Sequence, residues 1–107
     1  MIISATILAA GGSSRMDDEN KLLLPFQESL VINQVCNTIL NSGLKPVIVV
    51  TGFEHKKIEK ALPKSIDQII HNPEWEDGMA GSIYAGMSIL PDTVDGNMIV
   101  LGDMPLL

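Results

Sequence analysis

A chain of 107 residues can bury one modest core, and a composition of 46% hydrophobic with 19% charged residues is that of a globular domain without a disordered tract. Seven Lys and Arg against thirteen Asp and Glu give a net charge of -6. That balance argues against a grip on nucleic acid, which needs basic surface, yet leaves room for a phosphate-bearing small molecule held by a locally positive loop. The single cysteine, Cys36, excludes an internal disulfide and a cysteine-based metal cluster.

The chain opens on an apolar, partly β-branched run over residues 2–10, which reads as a strand buried on both faces of a parallel sheet. It breaks into Gly11-Gly12-Ser13-Ser14, with Arg15 just beyond. A polar loop containing Asp17, Asp18, Glu19 and Asn20 ends at Lys21 and leads through three leucines to Pro25. Ser29 is placed to cap a first helix, with Val31, Val35 and Ile39 on one stripe, Ile32, Cys36 and Leu40 on the adjoining one, and Gly43 to end it. This apolar pattern predicts that Cys36 is a buried structural thiol.

Residues 46–51, Pro-Val-Ile-Val-Val-Thr, predict a second buried strand closed by Gly52. A short amphipathic helix over 54–62 carries Ile58, Ala61 and Leu62 and stops at Pro63. Residues 66–71 read as a weaker strand that Asn72-Pro73 turns. A third helix is expected over 82–90, with Ile83, Met87 and Leu90 at i, i+4 and i+7, and a fourth strand over 97–101.

This βαβαβαβ alternation specifies an α/β fold with a parallel sheet, helices on its faces and right-handed crossovers. Ligands of open parallel sheets bind at the carboxyl ends of the strands. Both the loop over 10–21 and the segment Gly102-Asp103-Met104-Pro105 belong to those ends. A buried strand ending at Leu101, followed by so few residues, leaves part of the sheet uncovered, as expected of a fragment of a longer protein. No apolar stretch approaches the ~20 residues that span a bilayer, and no basic region precedes the first strand, so a cytoplasmic protein is expected.

Two adjacent glycines let the backbone turn and leave amide N–H groups free to face an anion. The loop matches neither the Walker A pattern nor the dinucleotide fingerprint. Arg15 and Lys21 supply the cations that a triphosphate needs and an ordinary turn does not. Asp103, at the end of a wholly apolar strand, is suited to Mg²⁺, which takes one or two protein carboxylates along with phosphate oxygens and water. Gly78 and Gly81 before a helix permit close backbone approach, and Ser82 near its N-terminus offers a hydroxyl to ribose, base or phosphate. His71 reads as structural or exposed, His55 as solvated beside Lys56 and Lys57, Trp75 as a packing anchor, and Asp17, Asp18 and Glu19 as solvent-facing.

These residues resemble the molybdenum-cofactor nucleotidyltransferases of the MobA-like NTP transferase superfamily, in particular its cytidylyltransferase (MocA-type) group. Leu8-Ala9-Ala10-Gly11-Gly12-Ser13-Ser14-Arg15-Met16 matches the family's L-A-A-G-x-S-x-R-M, and Lys21 with Leu23-Leu24-Pro25 matches its following lysine and L-L-P. Asn72-Pro73-Glu74-Trp75-Glu76-Asp77-Gly78-Met79 matches N-P-x-W-x-x-G-M, with Ser82 as the serine beyond it, and Asp103-Met104-Pro105 matches D-x-P. Asp17 stands where the family usually has glycine, the loop to Lys21 is one residue longer, and Gly81 replaces the first serine of G-M-x-S-S. The family's second metal-binding aspartate and pterin pocket come from a later part of its members.

The resemblance implies a Rossmann-like three-layer α/β/α fold of the nucleotide-diphospho-sugar transferase type, truncated, with residues 1–107 as the N-terminal nucleotide-binding part of a single NTP transferase domain. It implies Mg²⁺-dependent transfer of CMP from CTP to a molybdopterin-type phosphate acceptor, with a molybdoenzyme or its maturation factor as a further partner and neither nucleic acid nor membrane. Ala10 tilts the match to CTP, because relatives that transfer GMP tend to read L-A-G-G. Leu8, Ala9, Ala10, Gly11, Gly12, Ser13, Ser14, Arg15, Lys21, Gly78, Gly81 and Ser82 would then bind nucleotide, and Asp103 the metal. Arg15 and the loop amides would hold the β- and γ-phosphates, Lys21 the charge on the α-phosphoryl group, and Asp103 would complete the catalytic set. A related transferase that uses GTP or a sugar or polyol phosphate shares the same loop, and a non-catalytic nucleotide-binding module is the alternative of another class.

Overall fold

In the computed structural model, which describes residues 2–10, 25–26 and 29–102, the chain begins with β1 (Ile3–Ala9) and a hairpin of β2 (Pro25–Phe26) and β3 (Ser29–Leu30). It continues through α1 (Val31–Leu40), β4 (Val47–Thr51), α2 (His55–Ala61), β5 (Gln68–His71), a 3-10 turn (Trp75–Asp77), α3 (Met79–Met87) and β6 (Gly96–Leu101). Strands β5, β4, β1 and β6 lie side by side in that order, every pairing parallel. This is the parallel α/β arrangement that the alternation of strand and helix predicts, and it is Rossmann-like, as the resemblance implies.

The two central strands, β1 and β4, are buried on both faces, as their largely apolar, uncharged runs require, with Ser4 and Thr6 the polar residues of β1. Ala5, Ile7, Ala9, Val47 and Val49 meet Ile32, Val35, Cys36 and Ile39 of α1 and Ile58 of α2 on one face. On the other, Leu8, Ala10 and Val50 pack with Trp75 and with Ile83 and Ala85 of α3. Edge strands β5 and β6 are less covered, leaving Ile69, Met98 and Ile99 exposed.

Burial pushes the Cys36 thiol up to about 12, because the thiolate is poorly solvated among apolar neighbours. Cys36 is therefore expected to resist iodoacetamide at pH 8 in the native protein and to react once urea unfolds it. Mass spectrometry of the alkylated protein checks this, and rapid native labelling would contradict the packing of α1.

Several expectations need correction. Ser29 belongs to β3, opposite Phe26, and is two residues from the start of α1 at Val31, not at the position that directly precedes the helix. Gly43 lies three residues beyond Leu40, in a turn with φ +90°. Helix α3 starts at Met79 rather than 82 and ends at Met87 rather than 90. Gly81 therefore sits within its first turn, and Gly78, with φ +120°, is the residue that precedes the helix.

Of the stripe expected on α3, Ile83 packs against the sheet but Met87 does not. Met87 and Tyr84 are exposed, whereas Ser82 and Gly86 are buried. The helix lies so close to the sheet that a Cβ at Gly86 would come within 2.5 Å of Thr6 Cγ2. At Gly86 the approach is too close for any side chain. Below the helix, Ser4 Oγ and Thr6 Oγ1 donate to Asn97 Oδ1 at 2.7 and 3.1 Å, satisfying polar side chains on a buried strand.

Candidate functional site at the carboxyl ends of the strands

The order of the strands creates a switch point. From β1 the chain passes to β4 and β5 by way of α1 and α2, then returns through α3 to β6 on the opposite side of β1. Reversing the direction of travel moves the crossover helix to the other face, as right-handed connections require, and α3 does lie opposite α1 and α2. The crevice between β1 and β6 is where such sheets take ligands.

At that point Gly102 N–H donates to Leu8 O at 3.0 Å. Ala10, the residue before the glycine loop, and Gly102, the residue before Asp103, thus belong to adjacent strand ends. Gly11, Gly12, Ser13, Ser14, Arg15, Lys21 and Asp103 themselves lie outside the described residues. The side chains of Leu8, Ala9 and Ala10 are buried in the core. Leu8 and Ala10 serve the α3 face and Ala9 the opposite one.

The second segment is built around Asn72. Its backbone N–H donates to Thr51 O at 2.7 Å, while its side-chain Oδ1 accepts from Glu74 N–H at 3.0 Å and tightens the turn at Pro73. Its Nδ2 donates to Ser82 Oγ at 3.0 Å. Ser82 is only 3% exposed, so its hydroxyl secures the first turn of α3 to the end of β5. Gly81 is exposed. Gly78 bridges the 3-10 turn and the helix in a conformation that side chains rarely adopt, and no side chain caps the helix there.

Sequence reasoning treated Gly52 simply as the close of a strand and missed its contacts. A Cβ at Gly52 would lie 2.5 Å from Ala10 O and 2.5 Å from Trp75 Cβ, so a side chain has no space there. Phe53 N–H donates to Ala10 O at 3.1 Å, and the Phe53 and Trp75 rings pack with centroids 5.4 Å apart. The readable signal was glycine at the end of a buried strand, a common mark of close backbone approach. Trp75 is the packing anchor expected of it. His55, by contrast, is half-buried and stacks on His71 with centroids 3.8 Å apart, an association between α2 and β5 that spacing does not reveal. Among the described residues no cluster of three His, Cys, Asp or Glu could hold a metal, and no helix is long and apolar enough to cross a membrane.

Residues 5–107 match the model of the MobA-like NTP transferase domain. The chain belongs to this family.

Among MobA-like relatives, the molybdenum cofactor cytidylyltransferase of Escherichia coli is 30% identical over 98% of this chain and 53% of its own length. Nicotine blue oxidoreductase of Paenarthrobacter nicotinovorans is 26% identical over 96% of this chain and 50% of its own. The bifunctional protein GlmU of Symbiobacterium thermophilum is 27% identical over 98% of this chain but 22% of its own. A nucleotidyl transferase from Methanothermobacter thermautotrophicus superposes with a TM-score of 0.85 at 28% identity, covering 99% of this chain and 52% of that one. Rv0371c of Mycobacterium tuberculosis shares the fold, with a TM-score of 0.86 at 22% identity over 99% of this chain and 53% of its own. The chain therefore spans about half the length of several of these proteins and less than a quarter of GlmU.

Proposed function

We propose that residues 1–107 are the nucleotide-binding part of a single NTP transferase domain, and that the whole domain transfers CMP from CTP to a molybdopterin-type phosphate acceptor in the cytoplasm, releasing pyrophosphate. The observation that carries this reading is the bond from Gly102 N–H to Leu8 O. It joins the strand ends from which the glycine loop and Asp103 depart, at the switch point where parallel sheets bind ligands. Family membership supports nucleotidyl transfer as the reaction class. Ala10 and the 30% identity to the E. coli cytidylyltransferase support CTP and the molybdopterin-type acceptor. Comparable identity to relatives of other names favours a second reading, a related nucleotidyltransferase with a different acceptor or with GTP.

An aspartate that follows Gly102 in sequence is a suitable protein contribution for a hard cation that otherwise takes phosphate oxygens and water, and Asp103 is the residue proposed to hold Mg²⁺. When bound, Mg²⁺ would supply charge neutralisation on the phosphates. Amides of Gly11, Gly12, Ser13 and Ser14, with Arg15, would bind the β- and γ-phosphates, and Lys21 would offset charge developing at the α-phosphorus. An acceptor phosphate oxygen attacks that phosphorus as its bond to the bridging oxygen of pyrophosphate breaks. Positioning and electrostatics suffice for this step, so no side-chain nucleophile is needed.

The direct test is calorimetry of the full chain with Mg²⁺ and CTP. Arg15→Ala and Lys21→Ala should each weaken binding by about 1–3 kcal/mol, the range for charge-assisted hydrogen bonds. Unchanged affinity in both variants rejects the site. Turnover assays with CTP, GTP and several acceptors decide the substrate, and pyrophosphate release only with a sugar phosphate would sink the molybdopterin reading.

A further inference from the structure

We propose that Gly52, Phe53 and Trp75 form a buttress that sets the course of the chain as it leaves β1 for the nucleotide loop, making Trp75 a positioning residue for the reaction. The inference rests on the nucleotide reading of that loop. Ala10 is held by the end of β4. Its carbonyl accepts the Phe53 N–H at 3.1 Å, and Gly52 lies so close that a Cβ there would meet the same oxygen at 2.5 Å. Trp75 crowds the same space, its Cβ and Cγ lying 2.5 and 2.6 Å from that same added Cβ. Trp75 in turn packs its ring on Phe53 and joins the cluster of Leu8, Ala10 and Val50. Contacts therefore run without a break from the indole to the carbonyl of Ala10.

Trp75 is itself anchored to the second proposed nucleotide segment. Its carbonyl accepts from Gly78 N–H at 3.3 Å, and the turn before it is held by Asn72, which accepts from Glu74 N–H and donates to Ser82 Oγ, each at 3.0 Å. Ala10, the residue after β1, and the first turn of α3 thus share one scaffold with Trp75 at its centre. A smaller residue at 75 would let Gly52 and Ala10 move together. Small displacements of groups that must meet a phosphate in line have large kinetic consequences.

The experiment uses the full natural chain and measures kcat and KM for the nucleoside triphosphate, together with thermal unfolding, in Trp75→Ala, Trp75→Leu and Trp75→Phe. Ile58→Ala serves as a stability control, since Ile58 is fully buried on the opposite face of the sheet. Trp75→Ala should lower kcat/KM on the order of 10- to 100-fold at a temperature where it remains folded. Trp75→Phe should recover most of the loss, and Ile58→Ala should change kcat/KM by less than about 2-fold although it unfolds at a lower temperature. If Trp75→Ala does not fold, Trp75→Leu gives the same comparison with more of the volume retained. Wild-type kinetics in the alanine or leucine variant, or an equal loss in Ile58→Ala, overturns the buttress while leaving the nucleotide reading intact. Failure of the wild-type chain to bind or turn over any nucleoside triphosphate overturns the reading itself, and the buttress with it.

Discussion

Asp103→Ala in the full-length chain should lower nucleotidyl transfer by about 10²–10³-fold, the scale on which removal of one charge-stabilising group acts in a preorganised site. The residue follows Gly102, whose N–H is bonded to Leu8 O beside the departure point of the glycine loop. A carboxylate proposed there has the metal as its main task, so the loss should fall chiefly on turnover. Asp103→Asn retains the shape but loses the negative charge, and should displace the Mg²⁺ activation curve to higher concentration. Pyrophosphate release measured across a Mg²⁺ titration checks both variants. Wild-type activity in Asp103→Ala, with an unaltered Mg²⁺ requirement, would rule out this assignment.

Gly86 is expected to reverse the usual effect of replacing a helical glycine by alanine. In an open helix interior, glycine to alanine stabilises by about 1 kcal/mol through backbone entropy. Here the added Cβ would lie 2.5 Å from Thr6 Cγ2 and 3.2 Å from Val50 Cγ2. Thr6 cannot readily yield, because it is a β-branched residue on a fully buried strand and its Oγ1 donates to Asn97 Oδ1 at 3.1 Å. Overpacking of this kind costs about 1–3 kcal/mol, so after the gain of about 1 kcal/mol the alanine variant should lose up to about 2 kcal/mol net and Gly86→Val about 3 kcal/mol or more. Urea denaturation measures the difference, and an increase in stability for Gly86→Ala would show that α3 can lift from the sheet at little cost.

The parts of the fold that were legible share a physical cause. Strands β1 and β4 must be buried on both faces, so they carry mostly apolar, small or β-branched residues and no charge, and the run itself announces the strand. Helix α1 packs one stripe on the sheet, and the spacing of Ile32, Val35, Cys36 and Ile39 shows it. Helix α3 obeys the same rule with small residues. Ser82 and Gly86 face inward, and a reading keyed to Ile83, Met87 and Leu90 therefore shifts the helix by three residues and selects an exposed methionine. The hairpin at Pro25–Phe26 and Ser29–Leu30 escaped notice because two-residue strands leave too few side chains for a period to register.

Much the same division applies to the glycine loop that follows β1. Residue chemistry within a few positions is what the proposal of an anion loop rests on: adjacent glycines, two hydroxyls, Arg15 and Lys21, on a chain otherwise acidic. Local chemistry could not say what stands beside that loop. Placing β6 rather than β5 next to β1, and closing Gly52 and Trp75 against Ala10, depends on pairings across some 40 to 90 residues. No single segment encodes those pairings. They follow from which apolar faces can be buried together once all the helices have chosen a side of the sheet.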